Sequence, residues 1–455
     1  MYRYKPHCSI AATLPRALPH AATLPPGKGR PRGRRWILLL GLACVVVAVA
    51  LAADGAALLP RQAATPAATP VRPPLDKAVV RTAAVGSVPL DIAVDAASGR
   101  AFVASRDDSG RGVISTIDTM TGKLLRTTTT TSAGLSAVIA IDARRGRAFI
   151  ANSGMPGQFG AMNFGTISVL DTRSDRFVRT IRLPAQNIAL DAATGRLFVT
   201  SGGTFRTSHG RLLAGRVTTL DESGRVLSSI LPGPFPGAIA VDAATNHVFV
   251  TISGPFFKSP GAAVMLDART GRILRATPAG IFPTSAVADG RTGPVFVVNS
   301  ALASRNLTLS SLTMLDARSG HALRTISLWG ANGAYLSART RRVFVTTAYG
   351  TVVMLDARSG RILRTIAAGR SSFFSFDNQA AAVDERRSRV YVAAGDRVLV
   401  LDATTGHVLR TLRVPGDIVA VDAATGHAFV AAQAVAAYSR PPVILGRPAA
   451  PSTPG

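Results

Sequence analysis

The sequence predicts an all-β fold, a β-propeller of four-stranded blades, and three observations lead to this class. A short hairpin unit occurs fifteen times, its two forms alternate strictly, and each pair takes about 47 residues. One form reads I-A-V-D-A-A-S-G-R-A-F-V-A at 92–104, and the other reads V-V-M-L-D-A-R-S-G-R-I-L-R-T-I at 352–366. A solitary hairpin is marginally stable in water, so the units must pack against one another. Closing the array into a ring leaves no exposed end.

The turns of both forms support this interpretation. An Asp opens all of these turns but one, where its carboxylate can accept backbone N–H groups two residues later, and the Gly that follows can adopt a positive φ. The turn-opening residues of the first form are Asp95, Asp142, Asp191, Asp242, Asp289, Ser337, Asp384 and Asp422, and those of the second are Asp118, Asp171, Asp221, Asp267, Asp316, Asp356 and Asp402. The flanking strands are apolar on both sides, which suits blades packed between other blades.

The two ends of the chain decide the number of blades. Seven complete pairs are followed by an eighth first-form hairpin at 419–431, with 434–438 as a candidate third strand. The segment 78–85 copies the fourth-strand pattern of 363–366. We therefore expect the N-terminal strand to complete the last blade and favour eight blades, with seven blades and a spare hairpin as the alternative.

The segments before and after the ring predict its compartment. Residues 1–35 are basic, lack acidic residues and are rich in Pro, so we expect a disordered cytoplasmic tail. The apolar segment 36–59 predicts one transmembrane helix that leaves the ring on the extracytoplasmic side of the cell membrane, or a cleaved signal segment that lets it be secreted. Residues 60–77 form a Pro-rich linker, 78–440 the propeller and 441–455 a disordered C-terminal tail.

The net charge of +27 admits two interpretations. Arg follows the turn Gly in most repeats, so the charge can be a compositional property of the rim. Alternatively it attracts anionic envelope polymers or lipid headgroups. We expect no nucleic-acid partner, because the predicted compartment is outside the cytoplasm and no reading motif is present.

The sequence offers no catalytic or metal-binding pattern. His247, His321, His407 and His427 occupy a turn position that holds Arg in sister repeats, which indicates a solvated turn position, and the repeated Asp residues have a structural role in the turns. There is no P-loop, nucleophile elbow or zinc-protease motif. We therefore expect no catalytic residue, no metal and no cofactor.

The insertions into the repeat are the candidate binding site. If the tight turns share one face of the ring, all the long insertions lie on the other face, together with the enlarged link at 368–379. They carry aromatic and charged side chains, which are typical of recognition loops but can also fold inward and plug the ring. The candidate residues are Phe159, Phe164, Phe205, Arg206, Phe256, Phe257, Lys258, Arg305, Phe373, Phe374 and Asp377.

The repeats resemble the YVTN family of bacterial and archaeal β-propellers, which includes surface-layer-like and periplasmic proteins. The resemblance covers about 78–438 and depends on F-V-A-S at 102–105, F-I-A-N-S at 149–153 and F-V-V-N-S at 296–300. Asn152 and Asn299 match the strand-ending Asn of that family. The resemblance implies a propeller, commonly of seven blades, and its more distant relatives include lactonases and quinoprotein dehydrogenase subunits.

Three functions remain open from the sequence. The first is a membrane-tethered, extracytoplasmic, non-catalytic binding or scaffold module that uses its loop-rich face to bind a protein or an anionic envelope polymer. The second is an enzyme of the lactonase or quinoprotein dehydrogenase type that uses the central channel. The third is a structural component of a surface layer.

Overall fold

A computed structural model describes residues 79–130, 137–153, 165–202, 215–254, 259–291, 293–301, 309–369, 380–432 and 443–446. The chain divides into two compact units, 1–71 and 72–455, and every described residue belongs to the second. The strands of this unit form antiparallel sheets of four strands each.

Seven sheets, named blades 1 to 7, each consist of four consecutive strands. Blade 1 contains β2 (Val88–Asp95), β3 (Arg100–Arg106), β4 (Gly112–Asp118) and β5 (Leu124–Thr129). Blade 2 contains β6 (Ala137–Asp142), β7 (Arg147–Asn152), β8 (Thr166–Asp171) and β9 (Arg176–Arg182). Blade 3 contains β10 (Asn187–Asp191), β11 (Arg196–Ser201), β12 (Gly215–Leu220) and β13 (Val226–Gly233). Blade 4 contains β14 (Phe235–Asp242), β15 (His247–Ser253), β16 (Pro260–Asp267) and β17 (Ile273–Ile281). Blade 5 contains β18 (Pro283–Ala288), β19 (Val295–Asn299), β20 (Ser311–Leu315) and β21 (Ala322–Ser327). Blade 6 contains β22 (Ala331–Ser337), β23 (Arg342–Thr347), β24 (Thr351–Asp356) and β25 (Ile362–Ala367). Blade 7 contains β26 (Ala381–Asp384), β27 (Arg389–Ala393), β28 (Val398–Asp402) and β29 (Val408–Leu412).

The remaining sheet, named the composite sheet, takes strands from both ends of the unit. Its order is β1 (Val79–Thr82), β32 (Val443–Gly446), β31 (His427–Ala431) and β30 (Ile418–Asp422). Val79 pairs with Gly446 and Thr82 pairs with Val443, so the first strand of the unit lies antiparallel to the last. β1 falls within the segment 78–85 that the sequence predicts for it.

The expected fold class needs three corrections. The number of continuous four-stranded blades is seven rather than eight, because the composite sheet is assembled from separate parts of the chain. The third strand of that sheet is Val443–Gly446, inside the segment 441–455 that the sequence predicts as a disordered tail. Its Val-Ile-Leu run has high β propensity, which outweighs the two preceding prolines. The candidate third strand at 434–438 lies outside the described residues.

The third correction concerns the membrane. No helix in the described part of the chain is long and apolar enough to cross a membrane, so the transmembrane helix is not part of the observed fold. An apolar run of about eighteen residues lies at the lower limit for a span, so composition alone was weak evidence for it. The tail 1–35, the segment 36–59 and the linker 60–77 lie outside the described residues.

The innermost strand of each sheet contacts that of the next. These contacts run from β2 through β6, β10, β14, β18, β22 and β26 to β30, which contacts β2 again and closes the ring. Between each pair of neighbouring sheets lies a cluster of buried apolar side chains. Phe429 of the composite sheet, for example, packs in one cluster with Ile92 and Val103 of blade 1. Burial of such a side chain stabilises the fold by about 2 kcal/mol, so the inter-sheet clusters hold the ring.

The turns have the predicted chemistry. Asp95 Oδ1 accepts the N–H groups of Ala97 at 3.0 Å and Ser98 at 3.3 Å, and Gly99 has φ +66°. The second form repeats the pattern, since Asp356 Oδ1 accepts the N–H of Ser359 at 2.9 Å. The predicted structural role of the repeated Asp residues is confirmed at these turns.

The strand order gives the ring two unlike faces. The turns between strands one and two, and between strands three and four, lie together on one face, which we call the turn face. The loops between strands two and three, and the links from blade to blade, lie on the opposite face, which we call the loop face. The long insertions are therefore connected to strands that end at the loop face, as predicted.

Candidate functional site

The eleven candidate residues from the sequence all lie in segments outside the described residues. These segments are 154–164, 203–214, 255–258, 302–308 and 370–379. The structure thus leaves the assignment of those side chains as a prediction. What it describes is the remainder of the loop face, in blades 1, 6 and 7 and in the links between several blades.

The described loop of blade 1 is a self-contained turn. Asp107 Oδ1 accepts the N–H groups of Ser109 at 3.0 Å and Arg111 at 2.9 Å, and its Oδ2 pairs with Arg111 Nε at 3.0 Å. The backbone N–H of Arg111, followed by the hydroxyl of Ser109, lowers the pKa of the Asp107 carboxyl. Because the carboxylate is used within its own loop, this insertion offers little for a ligand.

Blade 6 carries two aromatic side chains on the loop face that sequence reasoning missed. Trp329 lies in the link between β21 and β22 with 50% of its surface exposed, and Tyr349 lies in the loop between β23 and β24 with 53% exposed. Trp329 follows a buried leucine in a link of only three residues. The sequence does contain a signal, because Trp329 is one of only two tryptophans. It was missed because Trp329 lies in a short link, whereas the candidate residues all come from long insertions.

The two aromatic residues are connected through Gly330, which follows Trp329 in sequence and contacts Tyr349 in space. Gly330, which follows Trp329, has φ +65°, and a Cβ at this position would come within 2.9 Å of the Tyr349 ring. The carbonyl oxygen of Gly330 also accepts the N–H of Ala348 at 2.8 Å. The ring of Tyr349 therefore packs on the backbone of the link that carries Trp329, and the absent side chain makes this approach possible.

The preceding link shows that the position does not require glycine. Phe282 occupies the same place before β18, has φ +52°, and its carbonyl oxygen accepts the N–H of Ser300 at 2.9 Å. A bulky residue in the left-handed region costs about 1–3 kcal/mol and occurs mostly where the surrounding structure imposes it. The loop face thus carries a strained aromatic residue one blade before the Trp329 link.

A small cleft lies between blades 6 and 7 and the start of β30. The space within it that a water-sized molecule can occupy is about 30 Å³. Its polar lining residues are Asn332, Thr346, Thr347, Thr351 and Asp417, and Gly350, next to Tyr349, also lines it. The hydroxyl groups of Thr347 and Thr351 lie 2.7 Å apart. These two hydroxyls are therefore already used within blade 6.

Two features fix the surroundings of this cleft. Tyr335, on the inner strand of blade 6, is buried, and this burial raises the pKa of its hydroxyl. In the short loop of blade 7, both guanidinium contacts of Arg397 are with the Asp396 carboxylate, at 2.8 and 2.7 Å. The cationic group nearest in sequence to the cleft loop Ala393–Ala394 is therefore already paired.

The basic turn position of the first form is not simply solvated, which corrects the sequence interpretation of His247 and His427, whereas His321 and His407 in the second form are exposed. Four of these residues reach the next sheet of the ring and donate to a backbone carbonyl oxygen: Arg100 to Thr172 at 2.8 Å, Arg196 to Ala268 at 3.0 Å, His247 to Ala317 at 2.8 Å and His427 to Thr119 at 2.7 Å. Arg and His are interchangeable here because the guanidinium group and the imidazole ring can each donate an N–H to the carbonyl oxygen of the next sheet. The position is a set of contacts between sheets.

The outer strands add a second set of such contacts. Arg275 Nε donates to the Ser319 carbonyl at 2.7 Å, Arg324 donates to the Ser359 carbonyl at 3.2 Å, and Arg179 donates to that of Ser223. Each bond links one blade to the turn of the next. Part of the large positive charge is thus used inside the ring, which favours the compositional interpretation of these arginines.

The inner strands were tested for catalytic or cofactor chemistry. No group of three or more His, Cys, Asp or Glu side chains among the described residues is placed to hold a metal ion. Asp91, a buried carboxylate on β2, accepts the N–H groups of Ile92 at 2.8 Å and Ile139 at 2.6 Å, so it clamps blade 1 to blade 2. The inner strands described carry no Lys, Arg or His. In the part of the chain that the structure describes, the inner strands thus offer no cationic side chain to a buried carboxylate ligand.

The closed ring and its uneven faces define a β-propeller repeat protein. A family model described as outer membrane protein assembly factor BamB matches residues 188–441. Because this match covers more than half of the chain, the protein belongs to that family of propeller repeat proteins. The narrower resemblance to the YVTN family is not confirmed by this match.

Other known proteins add information on the fold alone. No curated protein sequence matches the chain. Among solved structures, the computationally designed Ika8 protein is similar with a TM-score of 0.55 and 14% identity, over 80% of this chain and 97% of that one. Hydrazine synthase of Kuenenia stuttgartiensis has a TM-score of 0.47 and 12% identity, over 67% of this chain and 93% of that one.

Proposed function

We propose that the protein is a non-catalytic binding module that works outside the cytoplasm and engages another macromolecule of the cell envelope through its loop face. The observation that carries the proposal is the difference between the two faces. The turn face repeats one Asp–Gly turn and spends its Arg and His side chains on contacts between sheets. The loop face carries the long insertions and two large aromatic side chains that are half exposed.

The exposure of large aromatic side chains to water also supports the loop face as the binding surface. Exposed large aromatic side chains are uncommon on a surface without a partner, and they dominate the affinity of interfaces where they are buried. The family description, which refers to assembly of outer membrane proteins, supports a place outside the cytoplasm. The basic segment followed by an apolar one at the start of the chain is consistent with export.

The test exchanges loops without disturbing the blades. Blade 7 connects its second and third strands through the short segment 394–397, which carries no aromatic residue and can replace the longer insertions 153–165, 202–214 and 300–310. The immobilised full chain and this variant are each incubated with solubilised envelope, and bound components are identified by mass spectrometry. We expect the variant to lose the components that the parent retains. The matched control is Met120→Ala on the turn face, which should retain them; equal recovery by all three proteins would contradict the proposal.

A further inference from the structure

We propose that the turn face of blades 6 and 7 binds a linear polymer that carries repeated phosphate groups. The site consists of Arg339 and Arg341 on the first-form turn of blade 6 and of Arg386 and Arg389 on that of blade 7, which we call the basic patch. It lies on the face opposite the long insertions, so this inference goes beyond the proposed function and does not depend on it.

The two turns carry a concentration of positive charge that the rest of the turn face lacks. Residues 337–342 and 384–389 together contain six Arg and two acidic residues. Every other pair of neighbouring first-form turns contains at most four Arg, and the turns 95–100 and 191–196 each balance one Asp with one Arg. The arginines of blades 6 and 7 are therefore not explained by the repeat alone.

The two turns are in direct contact, so their charges act at one place. Arg339 Nη1 donates to the carbonyl oxygens of Glu385 at 3.2 Å and of Arg386 at 3.1 Å. The Glu385 carboxylate in turn accepts the N–H groups of Ala338 at 2.8 Å and Arg339 at 3.2 Å. These contacts fix the turn of blade 6 against that of blade 7 before a ligand binds, which lowers the entropic cost of binding.

Carboxylates neutralise only part of this charge. Two of the six arginines form ion pairs, Arg342 with Asp356 at 2.8 Å and Arg387 with the buried Asp384 at 3.1 Å. The four residues of the basic patch are exposed, and none of them forms an ion pair with the part of the chain that the structure describes. Glu385 is the remaining carboxylate of the two turns, and backbone N–H groups already use it.

Arg341 occupies a backbone position that most sister repeats give to glycine. Its φ is +53°, and the equivalent Gly99 and Gly146 have φ +66° and +62°. A bulky residue in this left-handed region is strained, and such strain is typical of functional sites. Asp289 of blade 5 interacts more with Arg291 than with Arg341. The chain thus accepts strain at Arg341 and gains one more exposed guanidinium group in the basic patch.

The grouping of the arginines favours phosphate over carboxylate as the ligand group. A guanidinium group binds both anions through paired N–H donors. The oxygens of a phosphate point in tetrahedral directions, so one phosphate can accept hydrogen bonds from guanidinium groups on two turns. The two oxygens of a carboxylate lie in one plane, and a single guanidinium group fills them. Several arginines side by side therefore suit a row of phosphates, as in a linear polymer.

The other side chains of the two turns separate such a polymer from a lipid surface. A protein surface that inserts into lipid combines basic side chains with large apolar ones. Besides Arg, the turns 337–342 and 384–389 contain only Ser, Ala, Thr, Asp and Glu. The basic patch thus has charge without an apolar anchor, and binding to an anionic membrane becomes an outcome of the test.

Titration of the full chain with short-chain inorganic polyphosphate tests the basic patch. Calorimetry gives the dissociation constant at several salt concentrations. Poly-L-glutamate of the same charge, and vesicles of phosphatidylglycerol with phosphatidylcholine, are the comparison ligands. We expect polyphosphate to bind more tightly than either, with an affinity that falls as the salt concentration rises. Because the basic segment 1–35 also attracts polyanions, the role of the patch is measured by comparing variants.

Arg341→Gly and Arg386→Ala each restore the residue found in sister repeats, so the double variant should melt no lower than the parent. It should weaken polyphosphate binding about tenfold and lower the slope of log affinity against log salt by about two. Arg386→Ala alone should lower this slope by about one. The matched control is the double variant Arg173→Ala and Arg272→Ala, which removes two exposed arginines from blades 2 and 4 and should change the dissociation constant less than about twofold.

Four results would overturn the proposal. They are equal losses in the two double variants, an Arg386→Ala variant that binds as the parent does, no binding of polyphosphate, and tighter binding of poly-L-glutamate or of the anionic vesicles. Circular dichroism of each variant shows that the ring is folded. The envelope recovery measured with the loop exchange does not involve the basic patch, so failure of this inference is distinct from failure of the proposed function.

Discussion

The imidazole Nδ1 of His427 lies 2.7 Å from the carbonyl oxygen of Thr119, a residue 308 positions earlier in the chain. Since a carbonyl only accepts, the proton is on Nδ1 and His427 is the donor. The bond joins the composite sheet to blade 1, where the two ends of the ring meet. It repeats the contacts of Arg100 and Arg196 elsewhere in the ring.

The first prediction concerns this closing bond. His427→Ala should lower the free energy of unfolding by about 1 kcal/mol, because it removes one hydrogen bond and leaves the Thr119 carbonyl without that donor. His427→Arg should recover most of the loss, since Arg fills the same position in sister repeats. Urea unfolding gives the values. The control is His321→Ala, whose side chain is exposed and which should change stability by less than about 0.5 kcal/mol; equal effects of the two Ala variants would contradict the role of His427.

The second prediction concerns the one first-form turn that lacks an Asp. Ser337 stands in its place, and Glu385 of blade 7 supplies the missing carboxylate: it accepts the Ala338 N–H at 2.8 Å, the Arg339 N–H at 3.2 Å and the Ser337 hydroxyl at 3.1 Å. Glu385→Ala should therefore cost about 1–3 kcal/mol of stability.

A double-mutant cycle tests this exchange of roles. Ser337→Asp restores the turn residue of the other repeats, so Glu385→Ala should cost much less in that background, with a coupling energy of at least about 1 kcal/mol. Unfolding by urea of the parent, both single variants and the double variant gives this energy. Additive effects would show that Glu385 does not replace the turn carboxylate.

The third prediction concerns acid. The backbone N–H of Ser174 lowers the pKa of Asp171 to about 2, with help from the Ser174 hydroxyl and Arg147. The pKa values of Asp118, Asp267 and Asp316 are lowered too, mainly by the Thr or Ser three residues later. A lowered pKa in the folded state gives stability that is present above the unfolded value near 4 and is lost as pH falls through the folded value.

We therefore expect the contribution of these turn carboxylates to stability to be complete above about pH 5 and to fall between about pH 4 and 2, while the pKa values of Asp175 and Asp289, raised by burial, act in the opposite sense. Asp171→Asn should be less stable than the parent at pH 6, and the difference should shrink as pH approaches 2. Melting temperatures in a series of buffers measure both curves. Parallel curves for the two proteins over the whole range would show that Asp171 does not contribute to acid sensitivity.

The fourth prediction uses two glycines with the same backbone. Gly330 has φ +65° and Gly290 has φ +63°, so Ala at either position should lose about 1 kcal/mol of stability from backbone strain. A Cβ at Gly290 meets nothing within 4 Å, whereas at Gly330 it meets the Tyr349 ring at 2.9 Å. Only Gly330→Ala should also displace the Tyr349 ring, so it should cost more stability than Gly290→Ala. Urea unfolding compares the two variants, and equal losses would contradict the packing of Tyr349 on Gly330.

The sequence predicted the repeat and its turns well because one local signal, Asp followed by Gly, recurs in each hairpin. It could not predict contacts that depend on geometry between sheets. A position that holds Arg100 in one repeat and His427 in another looks solvated, since nothing local shows the carbonyl oxygen of the next blade. The pairing of Glu385 with the turn at Ser337 is hidden for the same reason, because the partners lie on different blades.

The candidate site shows a similar limit. Long insertions were visible in the sequence, and their eleven aromatic and charged residues remain a prediction. Trp329 and Tyr349 lie in links of three residues that keep the spacing of the repeat, so nothing in the sequence marks them. Their exposure is visible only in the structure, where Tyr349 packs on Gly330. The third strand of the composite sheet was missed because Pro441 and Pro442 precede it and mark an apparent end of structure.

The pairing of Val79 with Gly446 has a practical consequence, since both residues lie at the turn-face end of their strands. A tag, tether or sensor surface joined before β1 or after β32 is connected to that side of the wheel. The loop face is therefore the side of the ring opposite both of these attachment points.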